Sequence, residues 1–215
     1  FEPVKTELPP VITVYDPACG SGGMLTEAQN YIINPEGGIK SDASIYLFGK
    51  EVNPETYAIC KSDMMIKGND PEHIKLGSTL ATDEVSLANF DGTNEIADAT
   101  PRSSDGQLLF LMEMVSKIKS LSESPIGSRI ASVQNGSALF TGDAGGGESN
   151  IRRYIIQSDY LEAIIQLPNN LFYNTGITTY VWILSNAKKP HRKGKVQLIN
   201  ASEMYKKRSK NLGQK

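Results

Sequence analysis

Val11-Ile-Thr-Val-Tyr-Asp-Pro-Ala-Cys-Gly-Ser-Gly-Gly-Met-Leu25 is the stretch whose reading decides the fold. It opens with a short apolar, β-branched run, passes through a turn carrying Gly20, Gly22 and Gly23, and from Met24 to Ile32 shows apolar residues at helical spacing. That is a strand, a tight turn and a helix. A second strand is predicted at Ile45 to Phe48. After Asn53-Pro54 a second helix is predicted through Met65, with proline in its first turn. Strand and helix alternating in this way require a parallel sheet.

Further along, Asp105 is placed to cap a helix running to about Ser120, Arg129 to Val133 reads as a strand, and Glu148 to Gln157 as a helix. The end changes character. Leu161 to Leu167 and Thr178 to Leu184 are apolar runs joined by a loop holding Pro168, Asn169, Asn170, Asn174 and Gly176, with no room for a helix. They are predicted to pair as an antiparallel hairpin on the edge of an otherwise parallel sheet, with Lys195 to Ile199 a further short strand. The basic tail after Glu203 carries no core-facing pattern and reads as a solvated helix or a loose end. No repeat or low-complexity tract interrupts the 215 residues, which are expected to form one domain over 1–215.

Composition narrows the function classes. At 39% hydrophobic and 21% charged residues the chain can bury one sizeable core. Cys19 and Cys60 are too few for a disulfide framework, and no signal-like start or membrane-length apolar run is present, so the cytoplasm is the expected compartment. A net charge of −2 gives no global attraction for nucleic acid. If DNA is the substrate, a partner is expected to do most of the holding. His73 and His191 lie far apart and form no ligand spacing with either cysteine, so no metal is expected and both histidines read as solvated.

Glycines between a strand and a helix allow tight turning and let a ligand approach the backbone, which points to a nucleotide or nucleoside. The turn lacks the Gly-Lys-Ser/Thr of a phosphate loop and the glycine spacing of a dinucleotide fold. Asp16 at the strand end would repel a pyrophosphate but attract a positively charged nucleoside. The plainer reading is a helix-initiating turn in which Asp16 caps.

The run Asp16-Pro-Ala-Cys-Gly-Ser-Gly-Gly23 resembles the cofactor motif of amino-group DNA methyltransferases, especially the modification subunits of type I restriction-modification systems. The likeness extends through Phe48-Gly-Lys-Glu-Val-Asn-Pro-Glu55, Ser103-Ser-Asp-Gly-Gln107, Gly127-Ser-Arg-Ile-Ala131, Leu139-Phe-Thr-Gly-Asp-Ala144 and Leu171-Phe-Tyr-Asn-Thr-Gly176. It implies an α/β, Rossmann-like S-adenosylmethionine-dependent methyltransferase fold. It also implies transfer of a methyl group to adenine in double-stranded DNA, and assembly with a specificity subunit and a restriction subunit. Asp16, Pro17, Ala18, Cys19, Gly20, Ser21, Gly22 and Gly23 would line the cofactor, with Asp16 facing its cationic methionine part directly or through water. Glu51 would accept hydrogen bonds from the ribose hydroxyls, and Ser78 or Thr79 would sit beside the adenine, although Gly77 to Leu80 reads equally well as a simple turn.

One motif departs from the family. Asn-Pro-Pro-Phe or Asn-Pro-Pro-Tyr is expected at the end of a fourth strand, but Asn89 runs directly into Phe90. Too few residues remain between Leu80 and Asp105 for a strand, a loop and the next helix. A stretch is therefore expected to be missing between Asn89 and Phe90, with a second break near Glu84, and the N-terminal helical region of the family is expected to be absent. On that reading Asn89 is the motif's asparagine, whose amide oxygen would accept from the adenine amino group, and Phe90 is either its aromatic residue or the first residue beyond the missing stretch. The alternatives are a catalytically inactive scaffold or DNA-binding relative, and a methyltransferase acting on a non-DNA acceptor.

Thr141 to Arg153 is glycine-rich and precedes a helix. Arg152 and Arg153 are candidates for DNA phosphate contacts, against a plain loop with Glu148 or Ser149 as cap. Phe172 and Tyr173 either border a base pocket or close the hairpin. Tyr180 and Trp182 read as core or partner-facing residues.

Overall fold

In the computed structural model, which describes residues 8–34, 36–81, 100–172 and 175–206, two compact units form. The first comprises the described residues up to 81 with Met112–Lys117 and Ser124–Ile126.

Strand β1 (Val11–Asp16), helix α1 (Gly23–Ile33), strand β2 (Ser44–Glu51), helix α2 (Pro54–Ile66) and strand β3 (Ile74–Leu76) follow in order. The three strands form a parallel sheet in the order β1-β2-β3, with Val11 opposite Ser44, Asp16 opposite Gly49 and Glu51 opposite Leu76. Helix α2 starts where the sequence says it should: the Asn53 side chain accepts from the Glu55 and Thr56 N–H groups, and Pro54 fills the first turn where no donor is needed. The core of this unit joins Cys19, Leu25, Leu47, Cys60, Met64 and Ile74, with Val14, Ile45 and Tyr57 against it. The β2 and α2 members of that core come from alternate strand positions and from a four-residue helical spacing.

The second unit holds residues 100–111, Ile118–Glu123 and the described chain from Gly127 on. Helix α3 (Gln107–Ser116), whose residues from Met112 on belong to the first unit, begins with Asp105 accepting from the Gln107 N–H at 3.3 Å, and it ends four residues before the predicted Ser120. Strand β4 (Arg129–Asn135), the short helix α4 (Ser137–Phe140), helix α5 (Gly147–Gln157) and strands β5 (Leu161–Gln166), β6 (Thr179–Ser185) and β7 (Gln197–Asn200) follow. Their sheet runs β4-β6-β5-β7. β6 is antiparallel to both β4 and β5, and β7 is parallel to β5.

The hairpin of β5 and β6 is therefore present but does not lie on the edge: its strands occupy the two inner positions of this sheet. The sequence hid this because nothing in the apolar patterns of β4 and β7 names their neighbours. Trp182 is buried, as expected of a core residue. The cap of α5 also differs. Gly146 takes the cap position without a side-chain bond, and Glu148 instead accepts from the Arg102 N–H at 3.1 Å. His73 is half-buried rather than solvated and stacks on Phe48 with ring centroids 4.4 Å apart, while His191 is exposed. No helix among the described residues is long and apolar enough to cross a membrane.

Candidate functional site

At the carboxyl ends of β1 and β2 the Gly-rich turn is fastened to its neighbouring strand by backbone hydrogen bonds. Where β1 stops pairing, the turn takes over: the Cys19 N–H donates to the Lys50 carbonyl at 3.0 Å, and the Gly20 N–H donates to Glu51 Oε2 at 2.9 Å. Asp16 Oδ1 accepts from the Ala18 N–H at 2.9 Å, and the Gly22 N–H returns to the Cys19 carbonyl at 2.8 Å. From the third strand, the Gly77 N–H reaches the Glu51 carbonyl at 2.9 Å and the Thr79 hydroxyl donates to the Pro17 carbonyl. Carboxyl ends of parallel strands are where open α/β sheets bind ligands.

Two glycines of the turn serve different purposes. Gly22 sits at φ +85°, and a Cβ there would lie 2.8 Å from Met64 Cε and 2.9 Å from Cys60 Sγ, so α2 forms a floor directly beneath it. Gly20 sits at φ +56° with no atom within 4 Å of a Cβ position, which leaves its backbone open to a ligand. On the neighbouring strand, a Cβ at Gly49 would lie 2.8 Å from Cys19 Sγ, so the Cys19 side chain fills that gap. Its sulfur is 4.0 Å from Cys60 Sγ, and burial, followed by the neighbouring Cys60, pushes the Cys19 thiol up to about 12. These are packed thiols, not nucleophiles.

The two carboxylates of the site suit a cationic nucleoside. Glu51 accepts from Gly20 N–H on one oxygen and, at 2.8 Å, from Asn53 N–H on the other. A carboxylate offers about four acceptor positions, so each oxygen keeps one for a vicinal diol. Burial raises the Asp16 carboxyl above its ordinary range; the Ala18 N–H opposes that, and the Glu51 charge adds to it. An approaching cation would favour the ionised form and so offset both effects.

Residues 16–23, Glu51 and Thr79 thus meet at one sheet edge, with Ser78 half-buried in the turn after β3. Asn89, Phe90 and Tyr173 lie outside the described residues. Elsewhere, Arg152 donates to the Ala138 carbonyl at 3.2 Å, Arg153 is exposed, and Phe172 is exposed in the loop after β5. Sequence reasoning missed Cys60 and Met64 as the floor of the turn. Their four-residue spacing marks a buried helix face but not what it faces.

A parallel βαβ sheet with a Gly-rich turn at its carboxyl edge is the arrangement shared by S-adenosylmethionine-dependent methyltransferase folds. A putative class I S-adenosylmethionine-dependent methyltransferase from Listeria monocytogenes superposes on 91% of this chain and 60% of its own with a TM-score of 0.62 at 16% identity, which is a likeness of fold. The type I restriction-modification system methyltransferase subunit from Streptococcus thermophilus matches 93% of this chain and 44% of its own, with a TM-score of 0.72 and 25% identity. The N-6 DNA methylase family model matches residues 7–214, and the chain belongs to that family. The type I restriction enzyme MjaVII methylase subunit of Methanocaldococcus jannaschii is 32% identical across 90% of this chain and 36% of its own length. The HindI methylase subunit of Haemophilus influenzae is 29% identical across 89% and 45%. The chain thus spans less than half the length of these curated relatives. The M. jannaschii match runs over 225 positions, more than the 215 residues here, so that relative carries residues inside the matched region that this chain lacks.

Proposed function

We propose that this chain binds S-adenosylmethionine in the turn 16–23 and methylates the amino group of adenine in double-stranded DNA, as part of a modification subunit working in the cytoplasm with specificity and restriction subunits. The carrying observation is the pair of carboxylates at one sheet edge. Glu51 is braced by two backbone N–H groups with acceptor positions to spare, and Asp16 is poised to gain from a cation.

When bound, S-adenosylmethionine supplies an electrophilic methyl group on a positively charged sulfur. Asp16 holds the cationic methionine end, Glu51 accepts from the ribose hydroxyls, and the open backbone at Gly20 lets the nucleoside lie close. Pro17, Ala18, Cys19, Ser21, Gly22 and Gly23 would shape the wall, and of the pair Ser78 and Thr79 it is Ser78 that would border the adenine, since the Thr79 hydroxyl is committed to the Pro17 carbonyl. Adenine's amino lone pair is delocalised and weakly nucleophilic, so the amide oxygen of Asn89 would accept a hydrogen bond from the amino group and localise its lone pair, and Phe90 would stack on the extruded base. Alignment of donor and amine supplies up to ~7–11 kcal/mol. The net charge of −2 agrees with DNA being held largely by a partner.

Calorimetry with S-adenosylmethionine tests the binding half. Glu51→Gln should weaken affinity about tenfold or more, and no binding to the unaltered chain would refute the reading. Methyl transfer is tested with the full-length subunit and its specificity partner on unmethylated duplex. A second reading, a relative without catalysis, is favoured by the direct Asn89-Phe90 junction. The natural coding sequence separates the two: two prolines after Asn89 support methyl transfer, in keeping with the extra positions of the M. jannaschii match, and their absence supports the inactive relative.

A further inference from the structure

We infer that Thr79 is a positioning residue for the cofactor turn, acting through the Pro17 carbonyl rather than on the nucleoside. The inference deepens the cofactor reading above and rests on it for its effect on binding, though not for its effect on the turn. Thr79 is 5% exposed, and its hydroxyl is committed to the carbonyl of a residue 62 positions earlier. Pro17 has no N–H of its own, so the carbonyl is the one backbone hydrogen-bonding group it offers. Its chain neighbours are the working parts of the turn: Asp16 on one side, and on the other Ala18, whose N–H donates to the Asp16 carboxylate.

The bond therefore fixes the Pro17–Ala18 peptide plane, whose other polar group, the Ala18 N–H, holds the Asp16 carboxylate. It completes a three-sided attachment. β2 holds the far half of the turn through Cys19 and Gly20, Gly77 holds the Glu51 backbone, and Thr79 holds the near half from beyond β3. Removing one partner of a buried pair leaves the other unsatisfied, so the turn would be free to rotate about the segment where it departs from β1. Threonine is suited to this post because a branched side chain with one hydroxyl has few alternative orientations.

The test uses the chain as it is, first without any ligand. In Thr79→Val, amide hydrogen exchange at Ala18, Cys19 and Gly20 should accelerate about tenfold or more, while the amides pairing β1 with β2 stay protected. Thr79→Ser, which keeps the hydroxyl, should restore slow exchange. With S-adenosylmethionine added, affinity should fall about tenfold in Thr79→Val and recover in Thr79→Ser. If Thr79→Val does not fold, the contrast between Thr79→Ala and Thr79→Ser reads the same hydroxyl. Unchanged exchange in the turn overturns the positioning role, whatever happens to affinity. Accelerated exchange in a chain that never binds S-adenosylmethionine leaves the positioning role standing and removes the cofactor reading instead.

Discussion

Two regions of the molecule, one in each unit, handle charge in opposite ways. In that of the second unit, ionised side chains are paired inside the structure: Lys188 Nζ lies 2.6 Å from Asp159 Oδ1 and 3.1 Å from the Lys195 carbonyl, and Asp159 also accepts from the Gly194 N–H. Arg192 likewise meets Glu162 at 3.3 Å and Gln197 at 2.6 Å. These pairs tie the segment between β6 and β7 back to β5 and to the residues just before it. At the carboxyl edge of the first unit's sheet, where the cofactor is proposed to bind, the two carboxylates Asp16 and Glu51 oppose each other, and their partners are backbone N–H groups. Paired charge builds a framework. Like charge held in place by backbone donors builds a site that a cation completes.

The largest expected effect comes from destroying the floor of that site. Gly22→Asp places a Cβ within 3 Å of both Met64 Cε and Cys60 Sγ at φ +85°. Left-handed strain and overpacking together should remove roughly 2–5 kcal/mol and abolish S-adenosylmethionine binding, as read by urea denaturation and calorimetry. Gly20→Ala, which meets open space, should lose only about 1–2 kcal/mol. Equal losses at the two positions would mean that α2 does not support the turn.

The framework breaks more gently. Asp159→Asn keeps a residue type that tolerates the φ of +55° at this position but strands a lysine whose side chain is only 2% exposed. Orphaning a buried charge costs about 3–5 kcal/mol. Because the Asp159 side chain is itself 38% exposed, the lower end or somewhat below is expected, without change in cofactor affinity. A loss of affinity as large as that of Gly22→Asp would erase the distinction between framework and site.

Much of this was legible before the structure. The β1-turn-α1 and β2-α2 elements follow from periodicity, from Asn53-Pro54 and from the glycines, because each signal is local. Glu51 was placed by resemblance, and its carboxylate does reach the turn. What was not legible depends on distant parts of the chain meeting. The inner position of the hairpin requires knowing that β4 pairs with β6, and the link from Thr79 to Pro17 spans 62 residues. Gly22 announced a turn, but only the arrangement of Cys60 and Met64 shows that the position is sterically closed.

Acid should act on the second unit through Asp105. Burial alone would raise its carboxyl, but hydrogen bonds from Ser137, Gln107 and Arg102 outweigh that and hold it at about 2. A lowered value means that the stabilisation is present above the unfolded value of 3.8 and is lost as pH falls through about 2. At 1.36 kcal/mol per unit this amounts to about 2 kcal/mol. Asp105→Asn should lose that much at pH 7 and flatten the stability curve between pH 4 and 2. An unaltered acid limb would show that the network does not favour the ionised form.

Asp16 should respond with the opposite sign, and by less. Its carboxyl is raised, chiefly by burial, so ionising it is harder in the folded chain than in the unfolded one. The associated stability is greatest below the ordinary value of 3.8 and is lost as pH rises through the higher folded value. At neutral pH the ionised group therefore works against folding, and Asp16→Asn, whose side-chain oxygen can still accept from the Ala18 N–H, should raise the melting temperature slightly. That gain should fade as pH drops through the ordinary value of 3.8 and vanish well below it, where Asp16 is protonated in both states. In the same variant S-adenosylmethionine should bind more weakly, since the cation loses its counter-charge, so stability and affinity move in opposite directions at one residue. A variant that melts lower at neutral pH, or binds as tightly as before, would mean that Asp16 is an ordinary turn residue, and the contrast between the two units would rest on Glu51 alone.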